Sequence, residues 1–483
     1  MKAFVLAVKR QDIGKGSEVK RENKGINTRM LGLGLGLAAF VLILVLPLDG
    51  LESKGRLALA LTLMTVVFWA FQVSHTGYIA GMYLVLLIVL DVSKPATVLS
   101  TWTSSSTYLI IGAYLIAAAV RSSSLGQRIA YSFLLHFVTS YRTLIIAIFA
   151  LTFILSLLIP HAWPRAFLIM SVMSVVIKSA NIERKEAIVI GFAVFASSVP
   201  ISLIFLTGAS VTSPLAVAYA GIELSWLGWL EIMGLPAFIA SLLTLALFLV
   251  LFTPKKPLHL NKVAISEASR ELGSFTKKDV RVVVWLCIAI VVWSLDFLHG
   301  IDIGWVTFLL AVLMSLPIIG EVLEPKHFKE VPIQVLIFIS AATAIGKVGA
   351  ETGVNAYIAQ VVLPSFIPSN IFLLAIIVTT FTLVVHMVLG SVLSVMGVAI
   401  PALLAYIAPL DINPMVVVFW SYTVIGSHYI LPFHHMNVLV GQGEGNGLYS
   451  QRETIKLGVP MIAVVYFTTV VVETLWWKLL GIL

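Results

Sequence analysis

Charge is scarce in this chain: 11% of its 483 residues are Asp, Glu, Lys or Arg, against about a quarter in soluble globular proteins. With 59% hydrophobic residues there is more apolar surface than a core can hide, which excludes a water-soluble globular fold. Cysteine is nearly absent. Cys287 is the one present, so a disulfide framework and a CxxC metal or redox site are both excluded. Also missing is the ten-residue apolar/polar alternation that marks transmembrane barrel strands. What the chain has instead is a succession of apolar runs of helical-span length from Leu31 onward. The expected fold class is an all-α polytopic membrane protein. The formal charge of +8 does not point to nucleic acid, which needs a basic face on a folded domain. Here the basic residues fall between apolar runs, where they report orientation and contact with anionic lipid.

Residues 1–30 carry Lys2, Lys9, Arg10, Lys15, Lys20, Arg21, Lys24 and Arg29 without an apolar core. They read as a disordered basic cytoplasmic tail and not as a signal peptide, and Met30 could serve as the natural start. Hydropathy divides the rest into an N-terminal half, 31–253, and a C-terminal half, 281–483, joined by a polar cytoplasmic linker, 254–280. Each half contains a hairpin-like double segment, 142–178 and 370–408, followed by a span interrupted at its centre, 187–219 and 414–441. If the double segments are re-entrant hairpins that return to their own side, about eleven crossings remain. The N-terminus then lies in the cytoplasm and the C-terminus outside. The basic residues agree with this: the tail, Arg121, Arg128, Arg142, Lys178, Arg184, Lys185, the linker cluster, Lys326, Lys329, Arg452 and Lys456 fall inside. Outside fall Lys54, Arg56, Lys94 and Lys347.

The halves also resemble one another. LIIGAYLIAAAVRSSSLGQRIA from Leu109 and LIFISAATAIGKVGAETGVNAYIA from Leu336 both run from a small-residue helix through a break to Ile-Ala. Each is followed by its double segment and then its interrupted span, ASSVPISLIFLTGAS or GSHYILPFHHMNVLVG. The offset is roughly 230 residues and the intervening crossings are odd in number, which is the plan of inverted repeats.

The chemistry concentrates at the interruptions. LSLLIPHAWPRAFLIM, Leu155 to Met170, places Pro160, His161, Trp163, Pro164 and Arg165 within an apolar run. An arginine at bilayer depth costs about 2.5–3.5 kcal/mol on insertion scales, and each proline withholds a backbone donor. Lipid would not tolerate such a chain; two half-helices meeting at a protein-enclosed tip would, and their exposed ends together with Arg165 suit an anion. The competing reading is a kinked helix whose arginine snorkels to a headgroup. The candidate substrate-binding residues are Arg165, His161, Thr207, Gly208, Ser210, Ser391, His434, His435 and Asn437. Ser198, Ser391, Ser394 and Ser427 are the candidate hydroxyls for a coupling ion. The adjacent His434 and His435 could bind substrate, hold a metal or take up a proton; His386 and His136 read as packing residues. No metal site and no cofactor is expected beyond Na+ or H+ as coupling ion. GQGEGNG, Gly441 to Gly447, lacks the strand and the Lys-Ser or Lys-Thr of a phosphate loop and reads as a turn.

This order of elements resembles the divalent anion/sodium symporter family, the carriers of dicarboxylates, citrate and sulfate, over nearly the whole chain from Leu31. The resemblance implies a Ser-Asn-Thr signature at each hairpin tip, which falls on Pro160-His161-Ala162 and on Ser391-Val392-Leu393. It also implies broken-helix loops at Leu206-Thr207-Gly208-Ala209-Ser210 and at Pro432-Phe433-His434-His435-Met436-Asn437, and a homodimeric assembly. Both signature asparagines, which contact substrate and help to ligate sodium in that family, are missing here. The expected function is a secondary active transporter of small divalent anions, with a proton-coupled or ion-independent exchanger as the alternative. An intramembrane enzyme using His434, His435 and Glu453 or Glu444 is the reading from another class. It lacks metal-ligand spacing and a nucleophile beside a base, so the chain is not expected to be an enzyme.

Overall fold

The computed structural model describes residues 15–362, 368–389, 392–410, 412–431, 434–443 and 446–483, with side chains from Arg29 onward. The described residues are helical with irregular connections and contain no strand. In chain order the helices are α1 (Lys15–Val45), α2 (Ser53–Ala70), α3 (Thr76–Val89), α4 (Ser105–Arg121), α5 (Leu125–Phe137), α6 (Tyr141–Leu158), α7 (Ala162–Ser179), α8 (Arg184–Ile201) and α9 (Thr212–Ala220). They continue with α10 (Trp226–Phe252), α11 (Lys262–Arg270), α12 (Lys277–Ser294), α13 (Ile303–Leu313), α14 (Ile333–Glu351) and α15 (Val354–Val362). The last four are α16 (Ile371–Leu389), α17 (Val392–Ile407), α18 (Pro414–Ser427) and α19 (Gln451–Leu479).

Among the described residues seven helices, α2, α6, α7, α10, α14, α16 and α19, are long and apolar enough to cross a membrane, and five shorter apolar helices accompany them. The long apolar segments of the sequence divide in this way because several are interrupted. The double segment 142–178 becomes α6 and α7, 187–219 becomes α8 and α9, and 370–408 becomes α16 and α17. The protein is an all-α polytopic membrane protein. Its outer helix faces present Val45, Val250, Val388 and Leu479 to the surroundings, which is the expected surface where the solvent is lipid. Helical backbone also reaches back to Lys15, into the stretch read from the sequence as a disordered tail. Its Lys, Arg and Glu are good helix formers, and a helix nucleated in the apolar run propagates into them.

Two features relate the halves. First, α13 packs along α4, while α3 packs along α14, so the helix that precedes each half's small-residue helix lies against the other half. The α4–α13 crossing is close: a Cβ on Gly112 would sit 2.8 Å from the Thr307 carbonyl carbon, and one on Gly304 would sit 2.1 Å from the Ser105 oxygen. Second, α10 and α19 each contain a stretch of π-helix, Leu230–Gly234 and Phe467–Glu473. The indoles of Trp476 and Trp477 donate to the Glu231 and Ile232 carbonyls in the first of these stretches. A smaller core, with Leu59, Tyr83, Phe338 and Val348, joins α2 and α3 to α14 and is distinct from the main core.

The polar contacts sort the extramembrane ends into two separate faces. One face ties Arg121 to Glu330, Arg281 to Glu321, Lys256 to Glu183 and Arg128 to the Leu272 and Ser274 carbonyls. On it α11 lies across α5 and α7, burying Ile265. The other face ties Lys54 to Asp91, Lys347 to Ser100, and Glu351 to Ser93 and Thr97. The ends of α6 and α7 share the first face: Tyr141 lies within electrostatic reach of Glu183, Glu186 and Lys256, and Asn261 donates to the Ser179 carbonyl. The α6–α7 pair therefore turns back on itself. A separate cavity of about 490 Å³ brings together Asn370 ahead of α16, Ile412 and Asn413 ahead of α18, and Lys478 and Leu483 near the C-terminus.

Candidate functional site

The α6–α7 turn is Ile159–His161, which includes Pro160 and His161 of the expected signature position. Pro164 falls in the first turn of α7, where a missing backbone donor costs nothing. His161 caps that helix: its Nδ1 accepts from the Trp163 amide at 3.2 Å, so its proton sits on Nε2 and faces the Tyr114 hydroxyl at 2.7 Å. Arg165 is completely buried. Its Nη1 donates to the Ile159 carbonyl at 3.0 Å and its Nη2 to the Ser202 hydroxyl at 2.6 Å, while Nε has no partner among the described residues. It therefore ties the hairpin tip to the break after α8. No carboxylate pairs with it among the described residues. A buried guanidinium without a counter-charge is costly, and an anion close by would relieve that cost.

A groove of about 520 Å³ leads from this tip to the Arg121–Glu330 pair, lined by Tyr114, Gln127, His161 and Trp163. His161 lies within electrostatic reach of both Arg165 and Arg121. On the same face the Lys256 ammonium, hydrogen bonded to Glu183, holds that carboxyl below the usual glutamate range.

The first break, between α8 and α9, is tightly packed. Ser202 donates to the Ser198 carbonyl, Ser198 to the Phe195 carbonyl, and Thr207 accepts from the Trp226 indole at 3.3 Å. A Cβ on Gly208 would lie 2.6 Å from the Ser202 oxygen, so only glycine lets the two backbones meet here. The buried hydroxyls of Ser210, Ser394 and Ser427 have no hydrogen-bond partner among the described residues. They sit at the ends of elements that pack on one another, α9, α17 and α18. Ser391, expected to serve both substrate and ion, lies outside the described residues.

The second break, after α18, touches the α6–α7 tip and the end of α16. The Trp163 indole donates to Asn437 at 2.6 Å, and the His386 Nε2 at the end of α16 donates to the His434 carbonyl at 3.0 Å. His434 is buried, with its Nδ1 accepting from the Ile430 and Leu431 amides; Nδ1 of His435 has no partner among the described residues. His386, read from the sequence as a packing residue, instead joins His428 and His434 in a buried group whose ring centroids lie 4.9–5.1 Å apart. The sequence separates His386 from this break by 42 residues or more, and no local spacing signals the contact. Glu473 was equally silent. It is buried in the π-helical stretch of α19 and accepts from Thr423 at 2.5 Å. Among the described residues no three His, Cys, Asp or Glu side chains converge as a metal site would require.

Comparison with known proteins matches residues 27–483 to the family described as "Sodium:sulfate symporter transmembrane region". The chain belongs to this family of transporters. It is 24% identical over 460 residues to a protein of Cupriavidus necator named "Membrane protein", covering 90% of this chain and 89% of that one. Over 266 residues, 53% of this chain and 55% of the other, it is 25% identical to the "Putative malate transporter YflS" of Bacillus subtilis.

Proposed function

We propose that the protein is a secondary active carrier of small divalent anions, di- or tricarboxylates or sulfate-like oxyanions, working by alternating access. One observation carries the reading: Arg165 is a buried cation without a carboxylate partner among the described residues, held between a hairpin tip and a helix break. The anion enters along the groove past Trp163 and His161 and completes the charge balance that the protein leaves open. Thr207, Gly208 and Ser210 from the first break, and His434, His435 and Asn437 from the second, form the rest of the site. The two hairpins lie in inverted repeats and approach from opposite sides of the membrane, with the residue 254–280 linker and the N-terminus in the cytoplasm and the C-terminus outside. The groove then opens inward. The protein works as a homodimer, in which α1 to α3 with α14 supply the scaffold. It performs no catalysis.

The malate name of one relative makes a C4-dicarboxylate the first candidate substrate. A sodium ion would draw on Ser198, Ser394 and Ser427, but hard cations want several oxygen ligands and both signature asparagines are missing. A proton-coupled or ion-independent exchanger is the second reading, favoured by the histidines at the second break. The test is an uptake screen in proteoliposomes over malate, succinate, citrate and sulfate, each with and without a sodium gradient. Saturable uptake of at least one, competed by the others, is expected. No saturable uptake of any of them contradicts the proposal.

A further inference from the structure

The hydrogen bonds of the buried histidine group fix where each proton sits. The His434 carbonyl can only accept, so His386 carries its proton on Nε2 and leaves Nδ1 bare. His428 Nδ1, 3.2 Å from that bare nitrogen, must then be the protonated nitrogen of His428. The lone pair of His428 is thereby placed on Nε2. That atom is buried and has no hydrogen-bond partner among the described residues. His434 accepts two amides at Nδ1 and so has its own proton on Nε2, the arrangement of three neutral rings.

We propose that Nε2 of His428 is the proton-binding atom that couples transport to a proton gradient; this rests on the carrier reading above. The step is an acid–base one: the Nε2 lone pair takes a proton from hydronium on the side to which the site is open, an N–H bond forms, and one positive charge travels with the anion until that bond breaks on the other side. The surroundings favour an imidazolium only when an anion is present. His428 and His386 have His434 and His435 as their electrostatic neighbours. Of the elements packed around α18, α16 contributes His386, and α17 and α9 contribute Tyr406 and Tyr219. Tyr219 donates to the Ala342 carbonyl, and Tyr422 of α18 itself meets Ser213 and Thr212. On α19 Glu453 is bonded to Ser450, Lys456 donates to the Leu251 carbonyl, and Glu473 is held by Thr423, five residues before His428. Five residues are roughly 7.5 Å along a helix. Glu186 of α8, which also packs on α18, sits by Lys256. Among the described residues no carboxylate pairs with the imidazoles, and a positive charge there lacks its counter-ion until substrate supplies one. The residue 434–437 segment links the two events, since it accepts from His386 at one end and from Trp163 of the anion-binding tip at the other.

The test uses full-length protein in liposomes, with membrane potential clamped, and malate, succinate, citrate and sulfate as probes. His428→Asn keeps an N–H donor in the place of Nδ1 and removes Nε2; His428→Gln is the second variant. Wild-type protein is expected to accumulate anion in response to an inwardly directed proton gradient, by up to about tenfold per pH unit for each coupled proton, and to move protons with the anion. Both variants are expected to keep counterflow, which needs no net proton release, and to lose the response to the gradient. Gradient-driven accumulation by His428→Asn at the wild-type level overturns the assignment, as does loss of counterflow in both variants. Wild-type counterflow without any response to a pH gradient overturns it while leaving the carrier reading intact. Absence of counterflow for every probe removes both.

Discussion

Arg165 shows what a residue can reveal before its neighbours are known. Its depth in an apolar run, beside two prolines, a histidine and a tryptophan, marked the site in the sequence because charge in a membrane is expensive. Its protein partners could not be read there, since Ser202 lies 37 residues away and reaches the tip only when α8 ends beside it. The snorkelling alternative requires access to headgroups that a completely buried side chain does not have. Arg165→Lys keeps the charge but loses the fixed fork that spans Ile159 and Ser202; Arg165→Ala loses both. Apparent affinity for the anion is expected to fall in that order. For Arg165→Ala the loss should be roughly ten- to a hundredfold, from about 1.5–3 kcal/mol for hydrogen bonds to a charged group. Concentration-dependent uptake measures it, and an unchanged half-saturation in Arg165→Ala would show that the anion binds elsewhere.

Helices were legible to the extent that they were continuous and apolar. The double segments stood out through proline and glycine within long hydrophobic runs, yet which ends come together had to await the placement of Tyr141 within electrostatic reach of Glu183. In a Cys287→Ser background, cysteines at Arg142 and Lys178 are expected to react with a membrane-impermeant thiol reagent from the same side. Labelling from opposite sides would turn the α6–α7 pair into a through-span. The α4–α13 crossing makes a second demand, for here two helices approach through glycine against backbone. Gly304→Ala should cost about 1–3 kcal/mol by overpacking, seen as a lowered unfolding temperature in detergent; an unaltered temperature would mean that this contact is looser than the 2.1 Å approach to Ser105 allows. The histidine group stayed hidden for a different reason: its three members come from two elements whose pairing hydropathy cannot specify.

At the scale of the molecule, two halves of similar plan exchange a helix, α3 for α13, and bring Trp163 of one and His386 of the other to one broken segment. The proposed alternating access needs a single site that either side can reach in turn, which a static pore does not require. Sodium is expected to be dispensable: uptake should persist with potassium or choline in its place and rise as external pH falls. Uptake abolished without sodium and indifferent to pH would contradict this. The functional unit should be a dimer by light scattering, and a monodisperse monomer that retains transport would oppose it. The central claim is that this is a carrier, and counterflow tests it most directly. Liposomes preloaded with the best-transported unlabelled anion of the screen should draw in labelled anion faster than empty ones, with a transient overshoot above equilibrium. Entry indifferent to the internal anion, for every anion tried, would contradict alternating access.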